Sequence, residues 1–132
     1  VADILEKNKF SKKYMISPLL WKGHVERKKR NKSRGVGFGY GLVTDLSNYT
    51  NTLSARYYKD GGEILVKTKD LTRPRKLTPR ECARLQGYPD SFKIPVSDTQ
   101  AYRQFGNSVT VNVVEKIFIS LFQTLRNRSQ RL

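Results

Sequence analysis

Hydrophobic and polar positions follow several different periods along this chain. Between Pro18 and about Lys32 the apolar residues Leu20, Trp21 and Val25 fall at helical spacing. Ser17 precedes them as an N-cap and Pro18 takes the first helical position, so a helix is predicted with those three residues inward. Its last turns carry Arg27, Lys28, Lys29 and Arg30, where cations suit the helix dipole. His24 lies beside the apolar stripe and reads as a packed or half-exposed side chain rather than a ligand. From Arg34 the period becomes two: Gly35-Val36-Gly37-Phe38-Gly39-Tyr40-Gly41-Leu42-Val43 sets glycine against apolar residues. That pattern predicts a strand with one apolar face and one face of bare backbone, open to close approach by another chain segment or a ligand. Its Gly-x-Gly steps lack the strand-turn-helix setting and the acidic residue of a dinucleotide loop.

Thr50 to Tyr58 reads as a β-strand, Lys59-Asp60-Gly61-Gly62 as a turn, and Glu63 to Thr68 as the returning strand. Arg73-Pro74-Arg75 breaks that pattern. Thr78-Pro79-Arg80-Glu81 spells a capping box, with Thr78 as N-cap, Pro79 at N1 and Glu81 at N3. The short helix it opens ends at Gly87, placed as a C′ glycine, before a loop at Tyr88-Pro89. Gln100 to Asn107 is polar and aromatic. Gly106-Asn107-Ser108 reads as a turn into the last helix, with Asn107 or Ser108 as its cap. From Val113 onward Val114, Ile117, Phe118, Leu121, Phe122 and Leu125 form one apolar stripe, the strongest in the chain.

The 132 residues suit one domain or a large fragment of one, too short for a complete two-lobed enzyme but, at 37% hydrophobic, able to bury a core. The formal charge of +15, from 26 Lys and Arg against 11 Asp and Glu, changes the picture most. Eleven bases and one acid, Glu26, lie between Lys7 and Arg34, and seven bases and two acids between Lys67 and Arg84. Arg126, Arg128 and Arg131 add a small basic tail. A single charge run is commonly a solvated face. Two runs flanking a glycine-rich, aromatic middle point instead to phosphate contact and a nucleic-acid partner. The lone Cys82 excludes an internal disulfide framework, and the lone His24 removes most histidine metal sites and triads. No metal site is expected. Neither a membrane span nor a signal sequence is apparent, so a cytoplasmic chain is expected. It opens on Val1 rather than Met, which suggests a fragment or a trimmed chain.

Two segments carry a family resemblance. Arg75-Lys76-Leu77-Thr78-Pro79-Arg80-Glu81-Cys82-Ala83-Arg84-Leu85-Gln86-Gly87-Tyr88-Pro89 closely resembles motif IX of the DNA cytosine-5 methyltransferases. Gln100-Ala101-Tyr102-Arg103-Gln104-Phe105-Gly106-Asn107-Ser108-Val109 closely resembles their motif X, in the same order and spacing. Upstream, Asn51 to Gly61 looks like the end of a target recognition region, with its Thr-Leu pair at Thr52 and Leu53. Arg34 to Val43 looks like the glycine-rich stretch of bacterial, Dcm-like members from restriction-modification systems. The resemblance covers about residues 12 to 118.

The resemblance implies an α+β fold. A small strand-rich target recognition region would occupy 1–74. Helical motif IX and motif X segments would occupy 75–132 and link it to a cofactor domain, as the C-terminal part of a two-domain class I methyltransferase. Three family features are not in this sequence: the Pro-Cys loop with the catalytic cysteine, the Glu-Asn-Val motif that holds the target cytosine, and the Phe-x-Gly-x-Gly loop of the cofactor site. Cys82 lies instead inside the motif IX helix. The expectation is a chain with no catalytic residue of its own, inactive alone, either the small subunit of a split enzyme or a truncated fragment. Its partners would be double-stranded DNA and a larger methyltransferase subunit, or a missing N-terminal domain, carrying the Pro-Cys loop. The assembled enzyme would use S-adenosylmethionine and sit in the bacterial cytoplasm on the nucleoid.

Individual residues take roles from the same resemblance. Thr52 inherits the contact to the DNA backbone beside the flipped base. Arg34, Arg56 and Lys59 are candidate readers of base edges, arginine being the leading partner of guanine O6 and N7. Lys28, Lys29 and Arg30 are candidate phosphate contacts. Thr78, Arg80 and Glu81 form the structural part of motif IX, and Asn107, Ser108 and Val109 are the candidate S-adenosylmethionine contacts. The rival reading is a stand-alone basic nucleic-acid-binding protein, ribosomal or architectural, which the charge permits but which gives no reason for both motifs in order.

Overall fold

The computed structural model describes residues 1–6, 12–68 and 71–129. Lys7 and Lys9 of the first basic run, Lys69 of the second and Arg131 of the tail lie outside the described residues. Ser17 caps helix α1 (Pro18–Arg34) as its chemistry predicts: its hydroxyl accepts the Leu20 N–H at 3.1 Å, and Gly35 closes the helix at φ 65°. The inward face is different in detail. His24 is the buried residue, while Leu20, Trp21 and Val25 are half-buried.

The glycine alternation does not make a long strand. Gly35, Gly37 and Gly39 all adopt positive φ, 65°, 64° and 74°, so the chain winds as a loop and only Leu42–Val43 forms a strand, β1. The expected close approach to bare backbone does occur, at Gly41. Its N–H donates to the Gly62 carbonyl at 3.0 Å, its carbonyl accepts from Leu65 at 2.8 Å, and a Cβ there would meet the Glu63 carbonyl oxygen at 2.2 Å.

The hairpin expected over residues 50–68 is also absent. Tyr57–Asp60 forms a helical turn, α2, which Gly61 caps at φ 61°. Strand propensity at Thr50 to Tyr58 yields to tertiary demand. Tyr57 is fully buried, and its hydroxyl donates to the Ile64 carbonyl at 2.6 Å and accepts the Leu77 N–H at 2.7 Å. The returning strand shortens to Leu65–Val66, β2. It pairs in parallel with β1 and antiparallel with Arg75–Lys76, β3, giving the sheet order β1-β2-β3. The expected break at Arg73-Pro74-Arg75 therefore runs straight into a strand.

Helix α3 (Pro79–Leu85) has the predicted capping box, and Gly87 follows its end at φ 83°. Glu81 does more than cap. Its carboxylate accepts the Thr78 N–H and the Glu6 N–H, each at 2.8 Å, and an N–H from each of the two terminal guanidinium nitrogens of Arg75, at 2.7 and 2.8 Å. Arg75 and Glu81 are both buried, so this ion pair lies inside the core. The polar, aromatic run before Asn107 forms a further helix, α4 (Asp98–Asn107), capped by Ser97. Its stripe of Ala101, Tyr102 and Phe105 is buried, and the Tyr102 hydroxyl donates to the Leu77 carbonyl at 2.6 Å. Asn107 is thus the last residue of α4 and Ser108 its C-cap, so neither opens α5 (Val111–Ser129); the first turn of α5 bonds instead to the Thr110 carbonyl. One core joins Val43, Tyr57, Ile64 and Val66 to Leu77, Cys82, Tyr102 and Phe105.

Glu81→Gln is expected to destabilise the chain by about 3–5 kcal/mol, because it leaves the Arg75 cation buried without its counter-charge; urea unfolding followed by circular dichroism checks this. Burial also pushes the Cys82 thiol well above its ordinary pKa, with the Glu81 charge adding to the effect. Cys82 is therefore expected to resist an aromatic disulfide reagent at mildly alkaline pH while the chain is folded, and to react fully in denaturant.

Candidate nucleic-acid interface and adjoining cleft

The geometry of the site starts from how α1 is tied to α2. The His24 Nε2 lies 3.3 Å from the Asp60 carbonyl and its Nδ1 lies 2.9 Å from Arg27 Nη2. Arginine only donates, so Nδ1 accepts and Nε2 carries the hydrogen. Arg27 also pairs with the Asp60 carboxylate at 3.3 Å. Burial alone would raise the Asp60 carboxyl, but the Gly62 N–H and Arg27 outweigh it and hold it below its ordinary value. Tyr40 anchors the far end of the glycine loop, packed edge-on to Trp21 at 4.9 Å with Lys28 4.3 Å above its ring. Between these anchors Phe38 stands 92% exposed.

A groove of ≈790 Å³ opens between α1, the glycine loop, the Thr50–Thr52 segment and α2. It gathers Thr52, Arg56 and Lys59 from the expected site, and adds Arg27, Asn31, Phe38 and Asn51. Arg34, Lys29 and Arg30 are exposed on α1 outside that lining, and Lys28 is turned onto Tyr40. The sequence signal for Arg27 and Asn31 is slight: they share the α1 face of His24, but nothing local shows that this face meets Asp60.

On the other side of Thr50–Thr52 lies a second cleft of ≈540 Å³, walled by Leu85, Gln86, Gly106, Ser108, Val109, Thr110 and the first turns of α5. Gly106 lets α4 press on the chain there, since a Cβ would sit 2.3 Å from the Ser54 carbonyl. Gln86 organises the cleft floor, donating to the Phe105 carbonyl at 2.8 Å and accepting from the Thr110 hydroxyl at 2.9 Å. Of the expected cofactor contacts, Ser108 and Val109 face this cleft, and Asn107 is exposed beside it. Thr78 and Glu81 lie in the core below. Arg80 braces the following loop through the Phe92 carbonyl at 2.7 Å, and Arg84 pairs with Asp90 at 2.7 Å. Among the described residues no cluster of His, Cys, Asp and Glu could hold a metal ion.

Residues 1–123 match the C-5 cytosine-specific DNA methylases. The chain belongs to that family. It is 58% identical over 125 residues to the Type II methyltransferase M.SsoII of Shigella sonnei, covering 95% of this chain and 32% of that protein. It is 61% identical over 117 residues to the Type II methyltransferase M.NlaX of Neisseria lactamica, covering 89% and 37%. The crystal structure of the S. pombe Dnmt2 methyltransferase shares its fold, with a TM-score of 0.75 at 22% identity, over 94% of this chain and 42% of that one. The chain thus spans about a third of the length of the curated relatives it matches.

In this methylase-family chain one face of α5 is apolar and exposed. Ile117, Phe118, Leu121, Phe122 and Leu125 are each more than half exposed, and Phe118 and Phe122 stack on one another at 6.4 Å. By length and composition alone the helical stretch Asp98–Ser129 could cross a membrane, 18 of its residues in a row having a mean hydropathy of 1.2. Asn112, Glu115, Lys116 and Gln123 give the helix a polar face, which fits packing against protein. Leaving several such side chains in water favours association. The isolated chain is expected to self-associate through α5, and Phe118→Asp to shift it toward monomer in sedimentation velocity without altering its circular dichroism. A concentration-independent monomer would contradict this.

Proposed function

We propose that this chain is the DNA-recognition portion of a DNA cytosine-5 methyltransferase and that it completes the cofactor side of the assembled enzyme. The observation that carries the proposal is the paired arrangement of a basic groove and a less charged cleft, divided by the segment that contains Thr52. Residues 1–74 would mainly recognise DNA, and 75–132 would mainly join that region to the catalytic half.

The groove chemistry follows from its charges. Arg56 and Lys59 would take phosphates or base edges, and Thr52 would hold the backbone beside the target nucleotide. Drawing a cytosine out of the duplex costs a few kcal/mol, which contacts to the flanking strands help to offset. Lys29, Arg30 and Arg34 would extend those contacts along α1. The one cysteine, Cys82, is not placed to act as a nucleophile: it is buried, and burial holds its thiol protonated.

The second cleft fits S-adenosylmethionine as one wall rather than a whole site. Ser108 and Val109 offer a hydroxyl and an apolar surface, but the lining has no carboxylate to take ribose hydroxyls or an ammonium group. When bound, S-adenosylmethionine supplies the methyl group; this chain's part is to close the pocket around it. The remainder, with the Pro-Cys loop, would come from a larger subunit or an N-terminal domain seated on α5. A stand-alone basic nucleic-acid-binding protein would have no use for that bare helix.

Mixing tests the reading. This chain and the N-terminal part of M.SsoII that it does not match are expected to transfer labelled methyl groups to duplex DNA together, and neither alone. Methyl transfer by this chain unaided would sink the proposal. If six or more phosphates are engaged, its DNA affinity should also fall roughly a thousand-fold between 50 and 200 mM salt.

A further inference from the structure

Helix α4 carries motif X, yet one of its side chains points away from the cleft and toward α2. Arg103 is exposed, and its guanidinium lies 4.7 Å from the centre of the Tyr58 ring while Nη2 donates to the Tyr58 hydroxyl at 3.2 Å. Stacking and hydrogen bond together hold the guanidinium in one orientation before any ligand arrives. The Tyr58 hydroxyl accepts from Arg103 and keeps its own hydrogen to donate. The Arg103 bond, with the fields of Lys59 and Arg56, holds that hydroxyl below its ordinary pKa, so three cations converge on it. Behind them Lys76 donates to the Tyr58 carbonyl at 3.3 Å and lies over the Tyr102 ring.

The acids nearby are committed elsewhere. Asp60 pairs with Arg27, Glu63 accepts from Ser54, and Asp98 pairs with Lys13. Among the described residues no ion pair engages Arg56, Lys59 or Arg103. A fixed guanidinium and a hydroxyl with no acceptor opposite form a donor set for a tetrahedral oxyanion. Arg56 and Lys59 belong both to this patch and to the groove, so the two surfaces are continuous.

We infer that the DNA-backbone surface continues past the groove onto α4, where Arg103 and Tyr58 grip one phosphodiester flanked by Arg56 and Lys59. This rests on the DNA-recognition reading above. Motif X would then serve the nucleic acid with one face and the cofactor cleft with the other.

The test is the salt dependence of this chain's binding to a labelled duplex, by fluorescence anisotropy, with circular dichroism confirming that each variant is folded. Arg103→Gln is expected to reduce the slope of log affinity against log salt by about 1, equally for unrelated duplex sequences. Arg103→Lys should keep the slope, because the charge remains. Tyr58→Phe should weaken binding at every salt concentration with the slope unchanged, because a neutral donor is lost. If the parent slope is steep and Arg103→Gln leaves it as it was, the inference is overturned while the groove stands; the patch would then belong to an acidic protein surface. A parent chain with no salt-dependent binding would overturn the DNA-recognition reading and this inference together.

Discussion

The Glu81 carboxylate is the point on which the rest of the structure hangs. Four donors converge on it, from the N-terminal segment, from β3 and from the N-cap of its own helix. A buried ion pair is a poor source of net stability, since desolvation offsets most of the attraction. Its value here is positional. It fixes β3 against α3 and so places Leu77 between them. The Leu77 N–H and carbonyl are then claimed by Tyr57 and Tyr102, one from α2 and one from α4. Through those two hydroxyls a single carboxylate sets where both clefts get their walls.

The capping chemistry of α1 and α3 was legible in the sequence because it is local: a Ser-Pro or Thr-Pro-x-Glu step carries its own hydrogen-bond partners. The glycine alternation misled because period two says nothing about the sign of φ, and three of those glycines are left-handed. Thr50 to Tyr58 misled because Tyr57 answers to Ile64 and Leu77 rather than to a neighbouring strand. The residue pattern does not mark helix α4, whose buried stripe is only three residues wide and interrupted by Arg103 and Gln104; the motif X resemblance alone implied a helical segment there. Thr52, Arg56 and Lys59 were readable as a group because they lie within eight residues of one another. Arg27, Asn31 and Phe38 join them through long-range ties, His24 and Arg27 to Asp60 and Gly41 to Gly62, which have no local signature.

Helix α5 stands apart from this logic. The core closes without it, and its attachment is made at its first turn, where Val111 donates to the Gln86 carbonyl at 2.9 Å. The protein's interior is therefore separate from the apolar face of α5. A chain built this way can close its core around Glu81 while the apolar face of α5 stays uncovered.

Thr50, Asn51 and Thr52 line the basic groove with one face and the second cleft with the other. The segment is a partition one chain thick, pinned through the Asn51 amide to the Glu63 carbonyl and through buried Leu53. Two spaces that share so thin a wall are not thermodynamically independent. An occupant that moves the wall from one side changes the room on the other, and linkage makes the influence equal in both directions. Three residues with no charge among them thereby set the room on both sides at once.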